Sequence, residues 1–212
     1  MNKNLTELVL VLDRSGSMST TKDDAEGGLR EFVRKQRKEP GKAVMTFYRF
    51  DNVIDQVFEE KNLKSVEDND LALEPRGSTA LLDAMGRAIN EVGSRLAKKP
   101  DSEKPGKVIV LVVTDGMENA SREFTREQVF KMITTQRDKY NWDVIFVGAD
   151  QDAIATGGSY GINFQASLNS SGKSHRNTYS ALGYAVSRSR KTGNAVSFTT
   201  AERDLAMTED EV

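Results

Sequence analysis

Apolar positions along the chain alternate between two rhythms, short unbroken runs and longer stretches at helical spacing. Residues 5–12 read Leu-Thr-Glu-Leu-Val-Leu-Val-Leu, an almost continuous β-type run that predicts a central strand covered on both faces. After a polar turn, Ala25, Leu29, Phe32, Val33 and Gln36 recur with helical period until Glu39-Pro40-Gly41 ends the segment. Residues 43–50 and 53–58 are two further β-runs separated only by Asp51-Asn52, a pair that tolerates the positive φ of a tight hairpin. Strands joined so briefly must be antiparallel. The polar stretch 59–77 leads to Leu81, Leu82, Met85, Ala88, Ile89, Val92 and Leu96, an amphipathic helix expected to open at Ser78 or Thr79. Gly86 and Gly93 share one face of that helix and are expected to let it pack closely on the sheet.

Residues 98–106 form a polar connection, and residues 108–113, the most apolar run in the chain, predict a second central strand. Thr125 and Gln128 make a capping box before Val129, Met132, Ile133 and Gln136, and residues 142–147 give the next strand. Beyond Gly148 the pattern weakens to a short helix around Gln151 to Thr156, an edge strand near Ile162 to Phe164 and a helix around Lys173 to Arg190. A last helical turn at Thr199 to Arg203 precedes an acidic Glu209-Asp210-Glu211 finish. The alternation predicts an α/β fold with a doubly wound, Rossmann-like, mostly parallel six-stranded sheet, one antiparallel strand and helices on both faces. Residues 1–190 are expected to form one domain, with 191–212 a partly helical C-terminal tail.

Composition narrows the chemistry. There is no Cys and one His, which excludes thiolate nucleophiles, thiolate metal sites and multi-His zinc centres. The 30 Lys and Arg against 32 Asp and Glu give a net charge of -2, so no global field recruits nucleic acid or acidic lipid. The first apolar run is too short for a signal-peptide core, and none approaches the ~18 residues of a membrane span. The expected setting is cytoplasmic, with no membrane and no nucleic-acid partner.

In a doubly wound sheet, ligands gather outside the carboxyl ends of the strands. The first strand ends in Asp13-Arg14-Ser15-Gly16-Ser17-Met18, the second central strand in Thr114-Asp115-Gly116-Met117-Glu118-Asn119, and the turn into the long helix reads Arg76-Gly77-Ser78-Thr79-Ala80. Their carboxylates and hydroxyls are all oxygen donors, suited to a hard cation such as Mg²⁺ (or Mn²⁺). Ser15 and Ser17 lie two apart in a tight turn, where both hydroxyls can face one point. Arg14, Met18, Arg76 and Met117 are candidates for its rim, whereas Asp23 and Asp24 read as first-turn helix acids.

Asp13-x-Ser15-x-Ser17, Thr79 and Asp115 together resemble the metal-ion-dependent adhesion site of von Willebrand factor type A domains, in that family's order and on its expected strand ends. The Thr114-Asp115-Gly116 triplet with Asn119 and the Gly77-Ser78-Thr79-Ala80-Leu81 turn also look like family members, and the resemblance spans roughly residues 5–190. It implies direct metal contacts by Ser15, Ser17 and Thr79, with Asp13 and Asp115 acting directly or through water. It further implies no catalysis, and a protein partner whose Asp or Glu carboxylate completes the metal shell. Chains of this length without a secretion signal look like the family's intracellular bacterial or phage members.

Other motifs compete. Gly157-Gly158-Ser159-Tyr160-Gly161 matches a nucleophile elbow literally, but it follows a predicted helix, and no acid separates Ser159 from His175. Ser171-Gly172-Lys173-Ser174 ends like a phosphate loop with Ser167 where the first glycine belongs. A metal-dependent phosphohydrolase with Asp13 as nucleophile is the alternative at the same rim, although its usual second acid is replaced by Ser15. Arg188-Ser189-Arg190-Lys191, with Arg176, is a basic cluster that reads as a solvated helix end.

Overall fold

A computed structural model describes residues 1–149, 152–171 and 174–208. The expected starts of two helices at Gln151 and Lys173, the centre of the phosphate-loop motif at Gly172-Lys173 and the acidic finish lie outside the described residues. The strands are β1 (Asn2–Asp13), β2 (Lys42–Phe50), β3 (Ile54–Asn62), β4 (Pro105–Thr114), β5 (Asp143–Ala149) and β6 (Ser167–Ser170). The helices are α1 (Lys22–Lys38), α2 (Leu81–Ala97), α3 (Arg126–Tyr140), α4 (Ala153–Ser159), α5 (His175–Thr192) and α6 (Thr200–Met207).

The six strands form one sheet in the order β3-β2-β1-β4-β5-β6, parallel throughout except for β3 against β2. The unbroken run in β1 is explained by its place between β2 and β4. Leu8, Leu10 and Leu12 join a core with Leu29, Phe32 and Val33 of α1 and Leu182 and Val186 of α5. Val9 and Val11 point the other way, to Leu81, Met85, Ile89 and Val92 of α2 and Val129 and Ile133 of α3. All five of these β1 side chains are wholly buried, each contributing about 1.5–3 kcal/mol of transfer free energy. Val196, Phe198 and Ala206 belong to the α1 and α5 core, and α6 packs on α5 and β6.

Four local expectations change. The β2–β3 turn has no positive φ at Asp51 or Asn52. Instead the Asp51 carboxylate accepts the Val53 N–H at 2.6 Å, so a side chain replaces the backbone twist. Neither Ser78 nor Thr79 caps α2, whose N-cap is Ala80. Its first amides are satisfied from the loop after β4: Leu82 N–H donates to Glu118 at 2.9 Å and Asp83 N–H to Ser121 at 3.1 Å. The Asp83 carboxylate returns the contact by accepting the Arg122, Glu123 and Phe124 amides at 2.8, 2.9 and 2.8 Å.

Gly86 and Gly93 do not meet the sheet. A Cβ at 86 would lie 2.5 Å from the Phe124 ring, and one at 93 would touch Gln136 of α3 at 3.4 Å. The edge strand falls at Ser167–Ser170, while Phe164–Ala166 is a 3-10 turn. Four residues paired with β5 suffice there because α4 and α6 cover the strand.

Candidate metal centre

β1 and β4 run side by side in parallel register, Leu12 opposite Val113, so their carboxyl ends deliver Asp13 and Thr114 to neighbouring positions. Asp13 is wholly buried. Its Oδ1 accepts the Ser15 N–H at 2.6 Å and its Oδ2 accepts the Thr114 hydroxyl at 2.5 Å. The chain then enters a 3-10 turn, Gly16–Thr20, that folds Ser17 back towards Ser15. Their hydroxyl oxygens lie 2.9 Å apart, and the Ser17 hydroxyl donates to Asp115 Oδ1 at 2.6 Å.

Thr79 approaches from the α2 side, its loop tied to the post-β4 loop by Thr79 N–H to Asn119 Oδ1 at 2.9 Å and Asn119 N–H to Thr79 O at 3.0 Å. A Cβ on Gly116 would lie 2.7 Å from the Thr79 hydroxyl and 3.4 Å from Asp13 Oδ2. Glycine at 116 is therefore what lets those two oxygens share one hollow. The five residues singled out in the sequence, Asp13, Ser15, Ser17, Thr79 and Asp115, lie in one patch. Asp13, Ser15 and Thr79 form its buried side, whereas Ser17 is exposed and Asp115 half-buried.

The donor set fits a hard cation on two counts. Neighbouring oxygens of an octahedral Mg²⁺ shell with bonds of 2.0–2.1 Å stand about 2.9 Å apart. The Ser15–Ser17 and Ser17–Asp115 separations of 2.9 and 2.6 Å are close to such an edge. The second count is charge. Burial pushes the Asp13 carboxyl above its ordinary range; hydrogen bonds from Thr114 and Ser15 pull it back, and the Asp115 charge raises it further. None of these influences is cationic. Among the described residues no cluster of three or more Asp, Glu or His could hold a metal, so any ion at this patch would also need the hydroxyls.

The proposed rim residues divide. Arg14 and Met18 are buried, whereas Met117 is 72% exposed. Arg76 is exposed but ion-paired to Asp51 at 2.9 Å. Asp24 serves a helix other than its own, accepting the His175 and Arg176 amides at the start of α5. A cleft of about 710 Å³ flanks the patch, lined by Asn52, Ser78, Arg87, Asn119 and Ser121 among others.

The competing motifs find no support. Ser159 ends α4 and donates to Thr156 O, so it occupies no strand-to-helix elbow. His175 is buried. The basic cluster is solvated only in part: Arg176 and Lys191 are exposed, Lys191 pairing with Glu39, whereas the half-buried Arg188 grips Glu202 and the half-buried Arg190 donates to the Gln36 carbonyl.

Strand order, single antiparallel edge and helices on both faces give the chain the von Willebrand factor A fold. Among solved structures it is similar to proximal thread matrix protein 1 from the mussel byssus (14% identity, TM-score 0.63), matching 88% of this chain and 46% of that one. It is similar also to the vWF domain of the type V pili tip protein Mfa5 from Porphyromonas gingivalis (10% identity, TM-score 0.64, covering 92% and 98%). A third is the ArnB paralog VWA2 from Sulfolobus acidocaldarius (19% identity, TM-score 0.54, covering 87% and 45%). The chain thus spans about half the length of the mussel and Sulfolobus proteins. The mussel protein has been solved with a zinc-occupied MIDAS motif (15% identity, TM-score 0.61, covering 87% and 46%). No family model and no curated protein matches the chain. Among the described residues no helix is long and apolar enough to cross a membrane.

Proposed function

We propose that this protein is a non-catalytic recognition module whose Asp13, Ser15, Ser17, Thr79 and Asp115 hold a divalent cation, Mg²⁺ or Mn²⁺. The observation that carries the reading is the wholly buried Asp13 carboxylate, held by neutral donors and adjoining an all-oxygen patch that opens to solvent at Ser17. The bound cation supplies a Lewis-acidic position for the carboxylate of an Asp or Glu on a protein partner. Ser15, Ser17 and Thr79 add oxygens without charge. Two carboxylates only balance the formal charge of the cation, so an open coordination position is what would take a third. The zinc-occupied motif of the mussel protein supports the divalent-metal part of the reading. The cysteine-free chain suits a cytoplasmic setting, which belongs to the same proposal.

The phosphohydrolase alternative is disfavoured because its nucleophile would be Asp13, a side chain with no exposure and both oxygens hydrogen-bonded. The test is titration calorimetry with Mg²⁺ and Mn²⁺. The wild type should bind, and Ser15→Ala and Asp115→Ala should each weaken binding at least about tenfold, as expected when a ligand or its immediate support is lost. Co-purifying proteins should be released by EDTA. A wild type that binds neither ion, or variants that bind as it does, would end the metal reading; partners retained in EDTA would end the carboxylate one.

A further inference from the structure

The two loops that bring Ser15, Ser17 and Thr79 together share two direct backbone hydrogen bonds and no direct side-chain hydrogen bond among the described residues. Gly16 N–H reaches Gly77 O at 3.2 Å, and Arg76 N–H reaches Arg14 O at 2.8 Å. Between them sits the tip of the β2–β3 hairpin, and at its centre Asp51, only 1% exposed. Asp51 Oδ2 accepts Arg14 Nε at 3.0 Å and Arg76 Nε at 2.9 Å. Its Oδ1 is taken by the Val53 N–H at 2.6 Å, and its backbone carbonyl accepts Ala80 N–H at 2.9 Å.

Arg14 stands between Asp13 and Ser15, while Ala80 follows Thr79 directly. One residue therefore grips both ligand-bearing loops. Arg14 is itself buried and completes its pairing with Asp55 at 2.6 Å. The hairpin tip also fits the second loop closely: Gly77, at φ +67°, has no room for a Cβ beside Asn52. With Arg14 and Arg76 opposite Asp51 and Asp55, the group is neutral overall. It adds no net charge to the neighbouring centre.

We infer that Asp51 is the positioning residue of the metal centre, joining the Ser15–Ser17 loop to the Thr79 loop and so setting the spacing of the hydroxyls. The inference rests on the metal reading above. It extends that reading to a residue outside the oxygen set, reached only through Arg14, Arg76 and Ala80. Outer partners that orient metal ligands typically cost 10–100-fold in affinity when lost.

The experiment compares Mg²⁺ and Mn²⁺ affinities of the full chain and its Asp51→Asn and Arg76→Gln variants, with thermal unfolding in EDTA as the measure of fold. Positioning predicts about tenfold or greater weakening in Asp51→Asn and a smaller weakening in Arg76→Gln. The second variant separates geometry from charge. Removing a nearby positive group would by Coulomb's law tighten cation binding, so weaker binding in Arg76→Gln can come only from lost placement. Unchanged or tighter binding in Arg76→Gln, or a folded Asp51→Asn with wild-type affinity, overturns the inference. If Asp51→Asn does not fold, Arg76→Gln, altered at an exposed side chain, decides alone. A wild type that binds neither ion fails at the earlier step and removes the metal reading itself.

Discussion

Two carboxylates on the same face of β1, Glu7 and Asp13, are both wholly buried, about 20 Å apart along the strand. They are kept in opposite ways. Glu7 accepts the Thr46 hydroxyl at 2.7 Å and pairs with Arg95, which also holds Glu59 at 3.0 Å and Glu60 at 2.8 Å. Asp13 has hydrogen bonds of similar quality, yet among the described residues no Lys or Arg pairs with it. A buried acid answered by a guanidinium ties α2 to the strands. A buried acid answered only by neutral donors retains an appetite for positive charge. The difference between architecture and the proposed function on this strand lies in the missing counter-charge, since depth of burial is the same.

The comparison can be broken at three points, in decreasing order of effect. Arg95→Ala strands the Glu7 charge in the core and should lower unfolding free energy by about 3–5 kcal/mol, measured by denaturant titration in EDTA. A loss under about 1 kcal/mol would mean that Glu7 escapes to water or protonates cheaply. Asp13→Asn should do the reverse. Thr114 Oγ can turn its proton to Gly116 O, 3.0 Å away, and accept from the new amide instead. Because burial disfavours the ionised carboxylate, stability in EDTA near neutral pH should hold or rise. Mg²⁺ binding should disappear.

The smallest effect is a pair of opposite pH dependences in EDTA. The Asp13 carboxyl is raised above 3.8 in the fold, chiefly by burial. Its contribution therefore favours folding when it is protonated and fades as pH climbs from 3.8 through the raised value. Burial also acts on Asp51, but the Arg76 hydrogen bond, the Val53 amide and the Arg14 charge outweigh it and hold that carboxyl below 3.8. Its contribution is full above 3.8 and is lost as pH falls through the lowered value. Unfolding curves of wild type against Asp13→Asn and against Asp51→Asn should thus diverge in opposite directions across the acid range. Parallel curves would erase the distinction drawn between the two acids.

The sheet was legible wherever burial on both faces left no room for a polar residue. The β1 and β4 runs mark the two central strands, and the two-residue link fixed β3 as antiparallel. The Thr125–Gln128 capping box is present at α3, because that signal is complete within four residues. What escaped was held together by remote partners. No local pattern says that the α2 amides will be met by Glu118 and Ser121, or that Gly86 makes room for Phe124. The edge strand Ser-Leu-Asn-Ser has almost no β-signature, with Leu168 as its single apolar residue and α4 and α6 covering the rest. Glu60, at φ +44°, sits in an irregular stretch of β3 with nothing in its sequence to announce it.

At the candidate centre, three separated motifs pointed to one rim because oxygen-bearing residues stood at each strand end. Arg14 drew notice only as a rim residue, and Asp51 only as a turn residue. The signal was available in principle: an Arg inside a strand-end turn, an Asp at a hairpin tip and an Arg before the next helix. Only the sheet order shows that these three meet.

The reciprocal contacts between the first turn of α2 and the loop after β4 bear on how such a surface can diversify. Glu118 and Ser121 hold the helix, Asp83 holds the loop, and Asn119 and Thr79 exchange hydrogen bonds between them. The two segments are cast as one piece. The exposed Met117 and the exposed side chain of Arg122 project from that casting, the Arg122 amide alone being bound into it. The proposed recognition surface can therefore be rewritten at its tips, by selection or by design, while the distances among the oxygens beneath stay fixed. Variability and precision occupy different atoms of the same loops.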